Sequence, residues 1–296
     1  MSHTSNQLEQ ASPLAPELAA KYARMQAIFR ELDMVGVAFS AGADSTLILK
    51  VALDTLGAER AIAVTAQSPS LAQAELEDAE RLVKELGARH VVIKTTEFEQ
   101  EDYLSNPVNR CYFCKNTLYS MMGPALAERG IRNLVNGTNV DDLGDYRPGL
   151  TAASEYEVRS PAAESGMTKA DVRALSLWLG LPTHDKPAAP CLSSRVPYGE
   201  RITPEKLRMI EQGEALLRSL NFVPCRVRCH EKLARIEVNA EEIPRLTSPE
   251  VAAAIEAEFR EIGFAYVCTD LRGFRSGSLN EVIAFGKPQV APKRPG

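Results

Sequence analysis

The chain has 296 residues, 45% of them hydrophobic and 25% charged, which is enough to bury one large core together with a smaller one. A formal net charge of −5 provides no overall positive field for nucleic acid, so a nucleic-acid partner is not expected. No stretch approaches the apolar length of a membrane span, and the polar N-terminus lacks the apolar core of a signal peptide. Composition therefore predicts a cytoplasmic protein of two domains with no membrane partner.

Apolar periodicity predicts alternating helices and strands in the first half of the chain. In chain order these are a helix at 18–32, a strand at 35–39, a helix at 45–57, a strand at 61–66, a helix at 70–87, a strand at 90–95, a helix at 113–130 and a strand at 132–136. A further helix begins near Thr168, with Asp171 as its capping partner. This order predicts an α/β fold with a doubly wound parallel sheet, whose ligands bind at the carboxyl ends of the strands.

A proline-rich segment at 182–202 separates this half from a smaller α+β half. The second half is predicted to contain helices from Thr203 and Ser248, and strands at 223–229, 233–238, 264–269 and 280–285. A small antiparallel sheet with two helices on one face fits this order. The predicted domains are a disordered N-terminus at 1–17, a nucleotide-binding domain at 18–195, a substrate-binding and oligomerisation domain at 196–286, and a disordered tail at 287–296.

The segment SAGADS at 40–45 joins the first strand to a helix. Its backbone N–H groups and the dipole of the following helix favour an anion such as a nucleotide phosphate. Ser40, Gly42 and Ser45 are predicted to contact ATP phosphates, and Asp44 is the predicted metal-facing acid, with Mg²⁺ as the metal. A Walker-type loop is excluded because the required lysine is missing. An ordinary polar β–α turn remains the alternative.

Further candidate residues lie at the end of the neighbouring strands or directly after them. Thr65, Gly137 and Thr138 complete the predicted nucleotide-binding set. Lys169 and Arg195 are candidates for holding phosphate or a substrate carboxylate, with solvated surface charge as the alternative. The acids Asp141, Asp142 and Asp145 are either helix-capping residues or direct participants, and the sequence leaves this open.

Cysteines indicate a second kind of chemistry. Six cysteines are too few for a disulfide scaffold, but Cys111 and Cys114 form a C-x-x-C pattern at the start of a helix, and Cys191 lies in an irregular segment. Three thiolates without a clear fourth ligand favour an iron–sulfur cluster with one open iron. A zinc site completed by His184 or by a cysteine of the smaller domain, a redox pair and no metal at all stay open. The remaining cysteines are expected to be small buried residues: Cys225, Cys229 and Cys268.

Alternation along the strand at 223–229 places Arg226, Arg228 and His230 on one face and the cysteines on the other. Two arginines at alternate positions can grip a phosphate. The alternative is an exposed charged strand paired with Glu237 of the next strand. The role of His230 is not predicted.

The loop at 40–45 resembles the SGGxDS pyrophosphate loop of ATP-pyrophosphatases, except that Ala41 replaces the usual first glycine. The wider set of motifs is similar to the LarE-type ATP-dependent sulfur transferases along about residues 18–286. It consists of SAGADS, NPVNRCYFCK, GTNVDDLGDYRPG, SGMTKADVRALS, KPAAPCLSSRVPYGERIT, CRVRCHEKLARIEV and DLRGFRSGSLNE. The resemblance implies the PP-loop fold of adenine nucleotide alpha-hydrolases.

The family resemblance implies that ATP adenylylates a carboxylate of pyridinium dicarboxylate mononucleotide and that sulfur then displaces AMP, in the biosynthesis of the nickel-pincer nucleotide. The positions matching Cys111, Cys114 and Cys191 imply a [4Fe-4S] cluster that holds a transferable sulfide. Some family members instead sacrifice the sulfur of the cysteine matching Cys191. The resemblance also implies that Glu214 joins Arg226 and Arg228 at the substrate site, often between subunits of a homo-oligomer.

Three other functions share parts of this pattern. An ammonia-dependent NAD- or GMP-type synthetase has the loop but gives no reason for the three cysteines. A tRNA thiolase has both, but requires a basic RNA-binding surface that the net charge does not favour. A non-enzymatic ATP sensor would release no AMP or pyrophosphate.

Overall fold

The computed structural model describes residues 13–144, 148–275 and 277–278. The predicted strand at 280–285, Asp145 and both terminal segments expected to be disordered lie wholly or largely outside these residues. From the N-terminus the elements are α1 (Pro16–Leu32), β1 (Val35–Ala38), α2 (Ala43–Leu56), β2 (Ala61–Gln67), α3 (Gln73–Leu86), β3 (Arg89–Lys94), α4 (Glu101–Leu104), α5 (Arg110–Ala127), β4 (Asn133–Val135), α6 (Val140–Leu143), α7 (Pro148–Glu155), α8 (Pro161–Glu164) and α9 (Lys169–Trp178). They are followed by α10 (Pro204–Ser219), β5 (Cys225–His230), β6 (Leu233–Val238), α11 (Ile243–Leu246), α12 (Pro249–Ile262) and β7 (Tyr266–Thr269).

The described residues divide into two compact units. The first contains the chain up to 67, together with 73–95 and 111–189, and the second contains 68–72, 96–110 and the chain from 190 onward. The second unit therefore includes two short segments from the first half of the chain. The domain boundary expected near residue 195 stays a prediction.

The first unit is built on a parallel sheet of order β3-β2-β1-β4. Val35 of β1 is in register with Ala61 of β2 on one side and with Asn133 of β4 on the other. The predicted α/β fold with a parallel sheet is thus confirmed. Because β1 lies between β2 and β4, the loops that follow β1 and β4 open at the same edge of the sheet.

Both faces of this sheet are covered by apolar side chains, as a parallel sheet requires. One core packs Met25 and Phe29 of α1 with apolar residues of α2 and α9. The other packs Ile62 of β2 with Met122 and Leu126 of α5. Gly36 in β1 leaves the space that Leu126 fills, since a Cβ at this glycine would lie 2.1 Å from a Leu126 methyl carbon.

The second unit contains a sheet of order β5-β6-β7. Strands β5 and β6 are antiparallel, but β6 and β7 are parallel, so the prediction of a wholly antiparallel sheet is wrong. The cause is the α11–α12 connection, which returns the chain to the end of the sheet at which β6 began. Helix α10 packs closely on this sheet and on α12 at Gly213, where a Cβ would lie 3.0 Å from Phe259 and 3.3 Å from Val227.

None of the helices within the described ranges is both long enough and apolar enough to cross a membrane.

The Phe259 side chain is fully buried and stacks on Phe264 with ring centroids 5.5 Å apart. We expect Phe259→Ala to lower the free energy of unfolding by about 3–5 kcal/mol, because it removes a large buried side chain and leaves a cavity. Urea unfolding followed by circular dichroism measures this loss. Glu258→Ala, at the neighbouring exposed position, is the matched control and should change stability by less than about 0.5 kcal/mol. Equal effects of the two substitutions would contradict the assigned core.

Candidate functional site

The loop between β1 and α2 contains a left-handed backbone conformation at a residue that is not glycine. Ala41 has a φ of 55°, the left-handed conformation in which glycine is usual, and its side chain is fully buried. An alanine in this conformation costs about 1–2 kcal/mol relative to glycine. Gly42 is the N-cap of α2 and has no side chain to satisfy the first N–H groups of the helix. The start of α2 therefore offers backbone donors to an anion.

Two hydroxyl groups hold this loop together. The Ser45 hydroxyl accepts a hydrogen bond from the Ser40 backbone N–H at 3.2 Å and lies 3.2 Å from the Ser40 hydroxyl. It also donates to the carbonyl oxygen of Gly42 at 3.2 Å. Ser45 is buried, whereas Ser40 is exposed. Ser40 is thus the more accessible of the two predicted phosphate contacts.

Asp44 lies on the first turn of α2 and has partners on both carboxylate oxygens. Its Oδ2 accepts a hydrogen bond from Nζ of Lys169, the first residue of α9. Its Oδ1 accepts one from the amide nitrogen of Asn139 at 3.2 Å. Asp44 and Lys169 were predicted separately from the sequence, and the structure joins them in a half-exposed ion pair next to the loop.

Gly137 follows β4 and lies directly against the start of α2. A Cβ at this position would be 2.9 Å from the Ser45 backbone nitrogen and 3.0 Å from the Asp44 Cβ. Only a residue without a side chain at position 137 therefore allows the loop after β4 to approach the start of α2 this closely. Thr138, the next residue, is half-buried and its backbone N–H donates to Oδ1 of Asn136 at 3.0 Å.

Thr65 is buried within the sheet, and its hydroxyl already has partners. It donates to the carbonyl oxygen of Phe39 at 3.0 Å and lies 2.8 Å from Nε2 of His90. Burial lowers the pKa of His90, which favours the neutral ring. These contacts place Thr65 beneath the loop, as a support for the backbone that precedes Ser40.

Asp141 and Asp142 lie at the start of α6, and each accepts a hydrogen bond from a backbone N–H group. Asp142 accepts a hydrogen bond from the backbone N–H of Asn139 at 3.1 Å, which completes a capping box. Asp141 accepts one from the backbone N–H of Lys169 at 2.7 Å. No role was predicted from the sequence for Asn139, whose side chain is fully buried. The available signal was its Asn-x-x-Asp spacing, which is typical of a capping box.

In the second unit, Arg195 and Glu214 form a buried ion pair. Nε and Nη2 of Arg195 donate to the two carboxylate oxygens of Glu214 at 2.8 and 3.0 Å. Burial alone would raise the pKa of Glu214, but the hydrogen bonds and charge of Arg195 outweigh it and hold this pKa below its ordinary value. Nη1 of Arg195 donates to the backbone carbonyls of Pro190 and Cys191. The pair thus fixes the backbone that carries Cys191, and Arg195 is not a surface charge.

The charged face of β5 and β6 is also covered. Arg228 donates to Glu237 at 2.8 Å, to the Ser278 hydroxyl at 2.8 Å and to the Ser194 carbonyl at 3.0 Å. Both Arg228 and Glu237 are buried, so the alternative of an exposed charged strand is wrong at these two residues, although its pairing of Arg228 with Glu237 is present. The reason is that Ser194 and Ser278 lie over this face, where both form hydrogen bonds with Arg228.

Arg226 is the more accessible arginine of the predicted phosphate pair. Its guanidinium lies 5.3 Å from the centre of the Phe274 ring. Burial and then the positive charge of Arg195 lower the pKa of Arg226. A bound anion would therefore stabilise its charged form.

The cysteines fall into two chemical classes. Cys111 and Cys191 are exposed and Cys114 is half-buried, and none of the three is in a disulfide bond. Cys225 and Cys229 are buried, and burial raises the pKa of each thiol to about 11. Cys268 is exposed, so the expectation that it is buried is wrong, since on β7 it is in register with Arg235 and not with the apolar residues of β6.

Within residues 13–144, 148–275 and 277–278, no group of three or more His, Cys, Asp or Glu side chains is arranged as a metal site. His184, considered as a zinc ligand, has its Nδ1 3.0 Å from the Leu181 carbonyl oxygen. His230 is half-buried, and its Nδ1 lies 3.8 Å from a carboxylate oxygen of Glu200.

No protein-family model matches the chain. It is 46% identical over 266 residues to an uncharacterised protein of Synechocystis sp., covering 90% of this chain and 99% of that protein. It is 38% identical over 275 residues to pyridinium-3,5-bisthiocarboxylic acid mononucleotide synthase of Lactiplantibacillus plantarum, covering 93% of this chain and 98% of the synthase. With similarity at this level along almost the whole of both chains, the protein belongs to the family of that synthase, the LarE-type sulfur transferases.

Proposed function

We propose that the protein is an ATP-dependent sulfur transferase that converts a carboxylate of pyridinium dicarboxylate mononucleotide into a thiocarboxylate, for biosynthesis of the nickel-pincer nucleotide. The observation that carries this proposal is the 38% identity to pyridinium-3,5-bisthiocarboxylic acid mononucleotide synthase over 93% of the chain. The loop at 40–45 supports it, because ATP activation needs an anion site of this kind at the carboxyl edge of the sheet.

The reaction has two steps. A carboxylate oxygen of the substrate attacks the α-phosphorus of ATP and releases pyrophosphate, which gives an acyl adenylate. A sulfur nucleophile then attacks the acyl carbon and expels AMP. In this proposal, the N-terminus of α2, Ser40 and Lys169 stabilise the negative charge of the polyphosphate during the first step, which the uncapped start of α2 and the position of Lys169 beside Asp44 support.

Mg²⁺ is the proposed metal of the first step, and when bound it would neutralise phosphate charge. Asp44 fits this role because Mg²⁺ in nucleotide sites is held by one or two carboxylates together with phosphate oxygens. Its carboxylate is partly exposed beside the loop. Lys169, now paired with Asp44, would then be available for the polyphosphate.

A [4Fe-4S] cluster held by Cys111, Cys114 and Cys191 is the proposed carrier of the transferable sulfur. The donor chemistry fits, because these three thiols are outside disulfide bonds and at least partly accessible, whereas Cys225 and Cys229 are buried with raised pKa values. An external sulfide or another sulfur donor would supply the sulfur. A homo-oligomer also remains a prediction.

We expect Asp44→Ala to abolish pyrophosphate release, because it removes both the carboxylate and the partner that orients Lys169. Pyrophosphate and AMP are measured with ATP and the mononucleotide substrate, and circular dichroism verifies the fold. Asp54→Ala, which removes an acid paired with Lys50 further along α2, is the control and should retain activity. Unchanged AMP formation in Asp44→Ala would rule out this nucleotide site.

Arg226→Ala is expected to raise the KM for the mononucleotide about 10- to 100-fold with little effect on the KM for ATP. A lost charge-assisted contact to phosphate is worth about 1.5–3 kcal/mol. Arg260→Ala, an exposed arginine on α12, is the control. Arg228→Ala should also raise the KM for the mononucleotide. Because this substitution removes a partner of buried Glu237 as well, the melting temperature of the variant is measured alongside. Equal effects on both substrates would indicate a structural role.

The sulfur source is tested with cysteine variants. After anaerobic reconstitution we expect about four irons per chain, and Cys111→Ala, Cys114→Ala or Cys191→Ala should each lose the cluster and multiple turnover. Cys268→Ala is the control for an exposed thiol outside this set. A sacrificial mechanism gives another pattern, in which only Cys191 is needed, turnover stops after one sulfur, and mass spectrometry finds the chain lighter by H₂S. If that pattern is observed and Cys111→Ala remains active, a cluster-dependent mechanism is excluded.

A further inference from the structure

Four residues around the loop form a closed ring of hydrogen bonds in the first unit. Asn139 Nδ2 donates to Asp44 Oδ1 at 3.2 Å, and Asn139 Oδ1 accepts from the backbone N–H of Asp141 at 3.0 Å. Asp141 Oδ2 accepts from the backbone N–H of Lys169 at 2.7 Å, and Lys169 Nζ donates to Asp44 Oδ2. The ring connects α2, the loop after β4, and α9.

The direction of every hydrogen bond in this ring is determined by chemistry. The Asp141 backbone N–H can only donate, so it must face the oxygen of the Asn139 amide. The amide nitrogen of Asn139 therefore faces Asp44, whose ionised carboxylate can only accept. Asn139 is fully buried, so water does not replace either partner. One buried side chain thus fixes the orientation of the Asp44 carboxylate.

Asp141 has the corresponding role for Lys169. It holds the first backbone N–H of α9, while Thr168 and Asp171 form a capping box at the same turn. Lys21 donates to Asp171 at 2.8 Å and anchors that box to α1. The helix start is therefore fixed from two sides, and the Lys169 side chain begins at a defined point opposite Asp44.

We propose that Asn139 and Asp141 are positioning residues for the adenylylation step, which hold Asp44 and Lys169 at the polyphosphate site. This proposal rests on the proposed function, since it assigns their role to ATP activation. Neither residue is expected to touch the substrate; each acts through its partner in the ring.

Asn139→Asp is the sharpest test. The aspartate keeps the oxygen that accepts from Asp141 and remains a good N-cap, but it removes the donor to Asp44 and places a second carboxylate against it. We expect kcat for pyrophosphate release to fall about 10- to 100-fold, the effect of losing a hydrogen bond to a charged group, with the KM for the mononucleotide within twofold of the original. Assays are run well below the melting temperature of each variant.

Asn136→Asp is the matched control. Asn136 lies three residues earlier in the same loop and is also buried, and its oxygen accepts from the Thr138 N–H and the Ser160 hydroxyl. Aspartate preserves both acceptor contacts, and Asn136 is outside the ring. Its kcat should stay near that of the unsubstituted protein. For Asp141, the Asn variant keeps an acceptor for Lys169 and should retain most activity, whereas Asp141→Ala should lose it.

A stability measurement tests the contact between Asn139 and Asp44 independently of enzymatic activity. Asn139→Asp should lower the melting temperature, and adding Asp44→Asn should restore part of it, because the exchanged pair again has one donor and one acceptor. If the unsubstituted protein releases no pyrophosphate, the proposed function fails, while this exchange still reports on the contact. If that protein is active and Asn139→Asp has the same kcat, the positioning role is overturned.

Discussion

The position of β1 between β2 and β4 is the constraint on which the nucleotide site depends. Parallel neighbours end at the same edge, so the loop after β1 and the loop after β4 must meet there. Because Gly137 has no side chain, the loop after β4 can lie directly against the backbone at the start of α2. At this separation the Asn139 side chain can donate a hydrogen bond to Asp44. The chemistry of the loop is therefore a consequence of strand order, although its residues are almost a hundred positions apart in the chain.

In the second unit, the main structural constraint is that charged side chains are buried. Glu214 and Glu237 are almost completely buried, and an isolated carboxylate in such surroundings would be strongly unfavourable. Arg195 satisfies the first in a two-point contact, while Arg228 and Arg235 both contact the second. Removing one partner of such a pair typically costs about 3–5 kcal/mol, whereas an intact pair adds little net stability. These residues are thus better understood as fixing the shape of the Cys191 segment and the adjacent arginine face than as a source of stability.

Much of this could be predicted from the sequence, because it depends on local patterns. Apolar periodicity identified the strands and main helices of the first unit, and Thr168 and Asp171 were correctly predicted to cap α9. Alternation placed Arg226 and Arg228 on one face, but alternation does not reveal what covers that face. The contacts of Ser194 and Ser278 with Arg228 were therefore missed. The direction of β7 and the role of Asn139 were missed for the same reason, since both depend on contacts between distant parts of the chain.

The alanine at position 41 has a consequence for how the loop binds. A glycine there would be free to sample many backbone conformations, and ordering it around a ligand would lose that entropy. The Ala41 methyl group is enclosed by the core, so the surrounding packing keeps the loop in its left-handed conformation. A loop that is already confined to one conformation loses little conformational entropy when it binds an anion. The backbone strain at Ala41 in the free protein is therefore accompanied by a more preorganised anion site.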